Sequence, residues 1–394
     1  AKRFNLREEP PPLKTNTRSI FGHFTNVPPL DDVLGGLGPM FRFRRNAGTM
    51  HHCFPGGWVW VIPFDNDVTS VGFEFDRDMY PLDESISAEE ELKRFLARFP
   101  SIQAHLGNMQ PVRPLIRADR IQFTSKQIVG DGFILAPHAA AFIEPLFSTG
   151  IVLTLAFVAR LAPALKAAAA ANDFSKERFL DMERAFFAEI RQIDLLVNGV
   201  IQSFRDYDLF KQYWRNWVVG TLAQFGTSIL VDGATQTRPM LYGSGLEGFP
   251  EALERMHEMV CKKGGDDKAL ARELEPMIDY WFDRVCRPVL TTSGDFSVES
   301  AQSCAVLGAT DSAPVVEWMH KLVADYSTHQ PGVRFENAEK WFAYLGEKLA
   351  RQLERYRTSR RDGTDFHKAY ERIILNQNPA NFDYHSYIGL EQPE

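Results

Sequence analysis

The residues best suited to chemistry lie in one stretch, Phe142-Ile143-Glu144-Pro145-Leu146-Phe147-Ser148-Thr149-Gly150-Ile151. A short apolar run turns at Glu144-Pro145, passes through Ser148-Thr149-Gly150 and opens a long helix. Small and polar residues at a helix start leave backbone N–H groups to face an anion or an electron-rich cofactor edge. Glu144 is the best isolated carboxylate candidate, although a turn Glu at a helix entrance is often structural. A second stretch, Trp58-Val59-Trp60-Val61-Ile62-Pro63, alternates large aromatic and branched residues at the period of a strand. Pro63 ends its ladder.

Other candidates carry less. Gly243-Ser244-Gly245-Leu246-Glu247-Gly248 has the GxGxxG spacing, but a dinucleotide loop must follow a strand. This one follows Arg238-Pro239-Met240 in a helical neighbourhood and reads as a loop. Gly130-Asp131-Gly132 precedes the apolar strand Phe133-Ile134-Leu135, so it reads as a turn, and Pro137-His138 stands after that strand. His51 and His52 are adjacent on a strand, point to opposite faces and cannot share a metal. No metal site is expected. Tyr207, Phe210, Trp214 and Trp217 recur at helical spacing, which suits either core packing or the lining of an aromatic-substrate pocket.

The elements that must position these residues fall into two regions. Residues 18–77 read as antiparallel sheet, with a turn at Pro55-Gly56-Gly57 and a return strand over Thr69–Phe75. Ser87-Ala88-Glu89-Glu90 fits a capping box ahead of a helix through Leu92, Phe95, Leu96 and Phe99. The central helix is expected over Ile151–Ala171, despite Pro163. From Phe174 to Leu230, and over 249–287, 312–327, 336–360 and 364–376, the pattern is helical. The expected division is therefore a mixed region, 1–172, followed by a mostly α-helical domain, 173–394, that covers the substrate. Ala1–Lys14 is charged and Pro-rich and reads as a linker or loop.

Composition narrows the function. A chain of 394 residues with 44% apolar residues and 30 Phe can bury a large aromatic core. A net charge of −7 argues against a nucleic-acid partner. Four cysteines, Cys53, Cys261, Cys286 and Cys304, lie far apart, which fits a reducing compartment. The longest apolar run, Ile151–Ala159, is short for a bilayer, so no membrane association and a cytoplasmic location are expected.

Taken together, the two stretches resemble a flavin-dependent halogenase. Trp58, Trp60, Ile62 and Pro63 match the family's Trp-x-Trp-x-Ile-Pro motif, and Pro145, Leu146, Ser148 and Gly150 match its Pro-Leu-x-Ser-x-Gly turn. Gly48–Phe54 and Thr69-Ser70-Val71-Gly72 are also similar to the family, and the match covers about residues 18–165. Phe147 resembles the halogenases of phenols and pyrroles, since tryptophan halogenases usually have Glu there; Glu144 and Ser148-Thr149-Gly150 echo the tryptophan branch. Pro137-His138 departs from the family's Gly-Asp, as phloroglucinol-type halogenases do.

The resemblance implies an α+β or α/β fold: a partial FAD-dependent monooxygenase-like domain with an antiparallel sheet, then helices. It implies that reduced FAD, supplied by a separate flavin reductase, reacts with oxygen and a chloride or bromide ion. The hypohalous acid formed halogenates an electron-rich aromatic, here a free phenolic small molecule, as in antibiotic biosynthesis. Pro145, Leu146, Phe147, Gly150, Ile151 and His138 would contact the cofactor, and Ser148, Thr149 and Gly150 the halide. Trp58, Trp60, Ile62 and Pro63 would wall the active site. Tyr207, Phe210, Trp214 and Trp217 would line the substrate pocket. The family's N-terminal GxGxxG segment and catalytic Lys lie ahead of the matched region and are not found in this chain, so no catalytic residue is nominated and the chain alone is expected to be inactive. A related FAD monooxygenase or reductase, or an inactive binding fragment, are the alternatives. A monomer or homodimer is expected.

Overall fold

The computed structural model describes residues 1–33, 45–230, 239–262 and 264–285. Most of the Gly-rich 31–38 segment and the helices expected over 312–327, 336–360 and 364–376 lie outside these residues. The described chain divides into two compact units, residues 18–120 and residues 1–17 with 121–285. The division expected at residue 172 falls inside the second of these, because the helix that ends there packs on the next one.

The unit of residues 18–120 is built on a six-stranded sheet. Its strands are β1 (Thr17–Thr25), β2 (Met50–Phe54), β3 (Gly57–Pro63), β4 (Thr69–Asp76), β5 (Gln110–Pro111) and β6 (Ile116–Ala118). They run in the order β2-β3-β4-β1-β5, with β6 also beside β1. Gly56, at φ +80°, closes the tight turn between β2 and β3, a conformation that favours glycine. Strand alternation sends Val59 and Val61 of β3, with Val71, Phe73 and Phe75 of β4, to one face. That face is buried against two helices, α1 (Ala88–Leu96) and α2 (Pro100–Leu106), through Leu92, Phe95, Leu96, Ile102 and Leu106. Helix α1 starts where the capping box predicts, with Ser87 Oγ accepting from the Glu90 N–H at 3.1 Å. Pro100 does more than stop it: as the first residue of α2 its missing N–H costs nothing.

The other unit is helical. Its elements are α3 (Pro137–Ala140), α4 (Thr149–Ala171), α5 (Leu180–Ser203), α6 (Tyr207–Leu230), α7 (Phe249–Cys261) and α8 (Asp267–Val285). The α5 helix is the hub, packing on both α6 and α7. It is buried on nearly every side from Glu189 to Ile201, so its polar residues need partners. Asp194 accepts the backbone N–H groups of Lys14 at 2.6 Å and Thr15 at 2.9 Å. Asn198 donates to Lys14 O at 3.1 Å and accepts from His257 Nε2 at 2.8 Å. The N-terminal segment, expected to be a linker, is thus stitched into the unit, and Arg7–Glu8 pairs with Thr124–Ser125. Its own residues carry no sign of this, because the groups that hold it are distant in sequence.

By length and composition alone, the segment Leu146–Ala171 would suffice to cross a membrane. Its middle is tied to α5 instead. Arg160 makes a bidentate pair with Glu189, at 2.9 and 2.5 Å, and both side chains are buried.

Candidate active site

The site is assembled on the chain between α3 and α4. Gln122 fixes its approach: Oε1 accepts from Thr17 N at 2.9 Å, while Nε2 donates to Thr17 Oγ1 at 2.7 Å and Ile143 O at 2.8 Å. Phe142 and Phe123 exchange both backbone hydrogen bonds, at 2.8 and 3.0 Å. The buried Glu144 carboxylate then bends back to accept the Leu146 N–H at 2.7 Å. Glu144 therefore organises the turn.

Two successive non-glycine residues follow in the left-handed region, Phe147 (φ 64°, ψ 10°) and Ser148 (φ 54°, ψ 29°). Such conformations cost of order 1–3 kcal/mol each and persist only where the surroundings enforce them. They turn the chain sharply into α4, whose first residue, Thr149, is buried. Ser148 occupies the N-cap position but its side chain makes no capping hydrogen bond. The usual occupant of the first-turn N–H groups is thus withheld, while the helix dipole adds positive potential there.

Gly150 brings the start of α4 close to α3. A Cβ at this position would lie 2.9 Å from His138 Nε2. His138 Nδ1 is 3.2 Å from Thr154 Oγ1, and Thr154 gives its hydroxyl proton to Gly150 O at 2.8 Å. With that hydroxyl proton committed to Gly150 O, Nδ1 donates to Thr154 Oγ1, and Nε2 lies beside Gly150. A small cavity of about 20 Å³ lies here, lined by His138, Phe142, Glu144, Thr149 and Gly150, with Leu153 and α5 on another side. That is room for one water-sized occupant.

Phe147 does not project into this cavity. Its ring stacks on Trp217 of α6 at 4.3 Å and 27°, and Trp217 stacks in turn on Tyr242 at 4.6 Å and 29°. Trp217 is thus engaged in stacking with two neighbouring rings. The rest of the expected substrate stripe does not converge either. Tyr207 is 75% exposed, Trp214 is 38% exposed, and Phe210 packs on Phe204 at 5.3 Å. The inward face of α6 carries Leu209, Gln212, Tyr213, Asn216, Val219 and Ala223 instead. Of the expected cofactor contacts, Leu146 is buried and Ile151 is 63% exposed. Sequence reasoning missed Thr154 and Tyr242. The i, i+4 relation of Thr154 to Gly150 was an available signal; Tyr242 had none.

In the unit of residues 18–120, Trp58, Trp60 and Ile62 share the sheet face opposite the core, whereas Pro63 alternates to the core side. Trp58 is buried, and the two indoles are 5.8 Å apart. Trp60 lies across β4 over Gly72, and its Nε1 donates to Ser70 Oγ at 3.2 Å. His51 meets Trp58 edge-on at 4.8 Å. His52 is hydrogen-bonded to His105 at 2.9 Å, whose Nε2 donates to Pro28 O at 2.8 Å. The adjacent histidines thus have separate partners. Among the described residues no cluster could hold a metal ion. The GxGxxG segment is a turn leading into α7 from a short 3-10 turn, with no strand before it among the described residues, and Gly130-Asp131-Gly132 closes a two-stranded hairpin.

Residues 45–202 match the tryptophan halogenase family. The chain is 43% identical over 232 residues to monodechloroaminopyrrolnitrin halogenase PrnC of Pseudomonas fluorescens, covering 57% of this chain and 40% of that protein. Over this stretch the chain is similar to flavin-dependent halogenases. Tetracycline 7-halogenase of Kitasatospora aureofaciens is 36% identical over 247 residues, covering 60% of this chain and 44% of that halogenase. The chain thus spans about two-fifths of the length of these curated halogenases. The crystal structure of halogenase PltM in complex with phloroglucinol and FAD aligns at a TM-score of 0.63 and 28% identity, covering 71% of this chain and 60% of that one.

Proposed function

We propose that the protein takes part in halogenating an electron-rich aromatic small molecule, in the first instance a phenol, with FAD as cofactor and chloride or bromide as halide. One observation carries the reading: the left-handed turn at Phe147-Ser148 aims an uncapped helix start into a cavity of one-atom size, within the motif that resembles the family's halide and flavin turn. The PltM structure with phloroglucinol and FAD supports the choice of arene. PrnC and tetracycline 7-halogenase support the wider class, since their names give other ring systems.

The residues fit these ligands. Backbone N–H groups of Thr149 and Gly150 would hold the halide and meet the polar edge of the flavin ring. Gly150 allows the close approach that a Cβ would obstruct. When bound, reduced FAD supplies the electrons with which oxygen converts the halide to an electrophilic halogen. His138, hydrogen-bonded to Thr154, presents Nε2 beside Gly150 and would line the halide site. On the sheet unit, Trp58, Trp60 and Ile62 supply an apolar face that would exclude water from whatever it covers. A flavin reductase would be the transient partner, and cytoplasmic biosynthesis the setting.

The test is to supply the protein with FAD, a reductase, bromide and phloroglucinol and to follow products by mass spectrometry. A brominated product that disappears when bromide is omitted supports the proposal. A hydroxylated product indifferent to halide would favour a monooxygenase. Protein that takes up no FAD and forms no product would favour a binding role.

A further inference from the structure

Trp217 and Tyr242 are far from the turn in sequence, yet they hold it. The Phe147 ring is the outer member of a three-ring stack, Phe147–Trp217–Tyr242, with both ring planes inclined by less than 30° to their neighbour (27° and 29°). The inner member is itself fixed from behind. Glu189 Oε1 accepts from Met240 N at 2.9 Å and Leu241 N at 3.3 Å. Gln192 Nε2 donates to Tyr242 O at 3.0 Å, and Gln224 Oε1 accepts from Tyr242 N at 3.2 Å. Tyr242 is left-handed at φ 52° and buried, and Gly220 of α6 admits its backbone, since a Cβ there would lie 2.7 Å from Tyr242 O. Arg160 of α4 completes the clamp by pairing with the same Glu189.

We propose that Trp217 and Tyr242 are positioning residues for the helix start of α4: their stack, clamped by Glu189, Gln192 and Gln224, holds Phe147 and Ser148 left-handed. The physical need is plain. A non-glycine residue in this region relaxes to a right-handed or extended conformation unless something opposes it. Leu146 is buried on one side of the turn and Thr149 on the other, so any such relaxation must swing the intervening residues and rotate the first N–H groups of α4. Offset stacking of large rings supplies a directional restraint on the Phe147 side chain. The same clamp links α4, α5 and α6 at one point, so the aim of the halide-facing groups depends on residues that touch neither halide nor cofactor. This inference rests on the halogenase reading for its consequence, but not for its geometry.

The experiment reads both separately. Selective ¹³C and ¹⁵N labelling of Phe and Ser gives the Cα and Cβ shifts of Phe147 and Ser148, which report backbone conformation without any ligand. Trp217→Leu is expected to remove the left-handed signature at both residues while circular dichroism stays unchanged. Trp217→Phe is expected to retain it. Tyr242→Leu serves as the second variant if Trp217→Leu does not fold, with the same loss expected. Left-handed shifts that persist in a folded Trp217→Leu or Tyr242→Leu variant would overturn the proposal. A bromide titration followed at the Gly150 amide then tests the consequence. Bromide binding in the parent protein, weakened about tenfold in Trp217→Leu, is the expected result. Normal bromide affinity in a variant whose turn has relaxed would overturn the positioning role. No bromide response in the parent protein would refute the halide reading of the turn, and the shift measurement would still decide whether the stack holds it.

Discussion

The indole of Trp60 lies flat across Gly72 on the neighbouring strand, so close that a Cβ on Gly72 would fall 1.9 Å from the ring. The two residues are register partners in the β3–β4 ladder. The glycine of the Thr69-Ser70-Val71-Gly72 segment is therefore a seat for the second tryptophan of the Trp-x-Trp pair. Gly72→Ala is expected to displace the indole, break its hydrogen bond to Ser70 and cost ~1–3 kcal/mol through overpacking. Denaturant unfolding monitored by tryptophan emission checks this. An unchanged midpoint and spectrum would mean that the ring has another place to go.

Much of this sheet was legible. The alternation of Trp58 to Pro63, the turn at Pro55-Gly56-Gly57 and the Ser87 cap each depend on residues close in sequence, and the structure shows all three. Alternation also turns Pro63, grouped with the tryptophans by motif, to the other face. The stripe on α6 shows the complementary limit. Spacing of three and four places Tyr207, Phe210, Trp214 and Trp217 on one side of a helix, but does not say which side faces inward. Here the inward side includes Gln212 and Asn216, polar residues that sequence reading assigns to solvent. The turn itself was legible as a helix start. Its left-handed Phe147 and Ser148 were not, because nothing local favours that conformation in such residues.

A buried ion pair anchors the middle of α4. Arg160→Met would leave the Glu189 carboxylate without its countercharge, at a cost of about 3–5 kcal/mol. Replacing both residues by apolar ones of similar size would recover part of that loss, less the hydrogen bonds that Glu189 accepts from Met240 and Leu241. Urea unfolding of the two single variants and the double variant measures the coupling. Additive losses would show that the pair contributes little.

Acid should weaken the fold through its histidines. Burial, followed by the neighbouring His105 and His51, lowers His52 from 6.5 to about 4. Burial, followed by the charge of Lys14, lowers His257 from 6.5 to about 4. Each folded value lies below the unfolded one, so the unfolded chain binds more protons between them. Their contribution is fully present above pH 6.5 and is lost as pH falls towards 4. Denaturant midpoints measured across this window should fall with pH, and His52→Gln should flatten the slope. A midpoint that rises on acidification would contradict the assignment.

Gly150 separates function from stability. It sits in the first turn of α4, where alanine is the better helix former by about 1 kcal/mol. A Cβ there also reaches His138, an exposed side chain that can move aside. Gly150→Ala is therefore expected to leave the unfolding midpoint equal or slightly higher while weakening bromide binding roughly tenfold. Calorimetric titration together with thermal unfolding reads both. A large loss of stability would mean that the close contact with His138 is structural instead.

The central claim is that the turn at Ser148-Thr149-Gly150 holds a halide. Its most direct test is anomalous diffraction from crystals grown with bromide and FAD. A single strong bromide peak within hydrogen-bonding reach of the Thr149 or Gly150 N–H, beside His138, is the predicted result. Bromide peaks that avoid this cavity, in crystals where FAD is bound, would contradict the account.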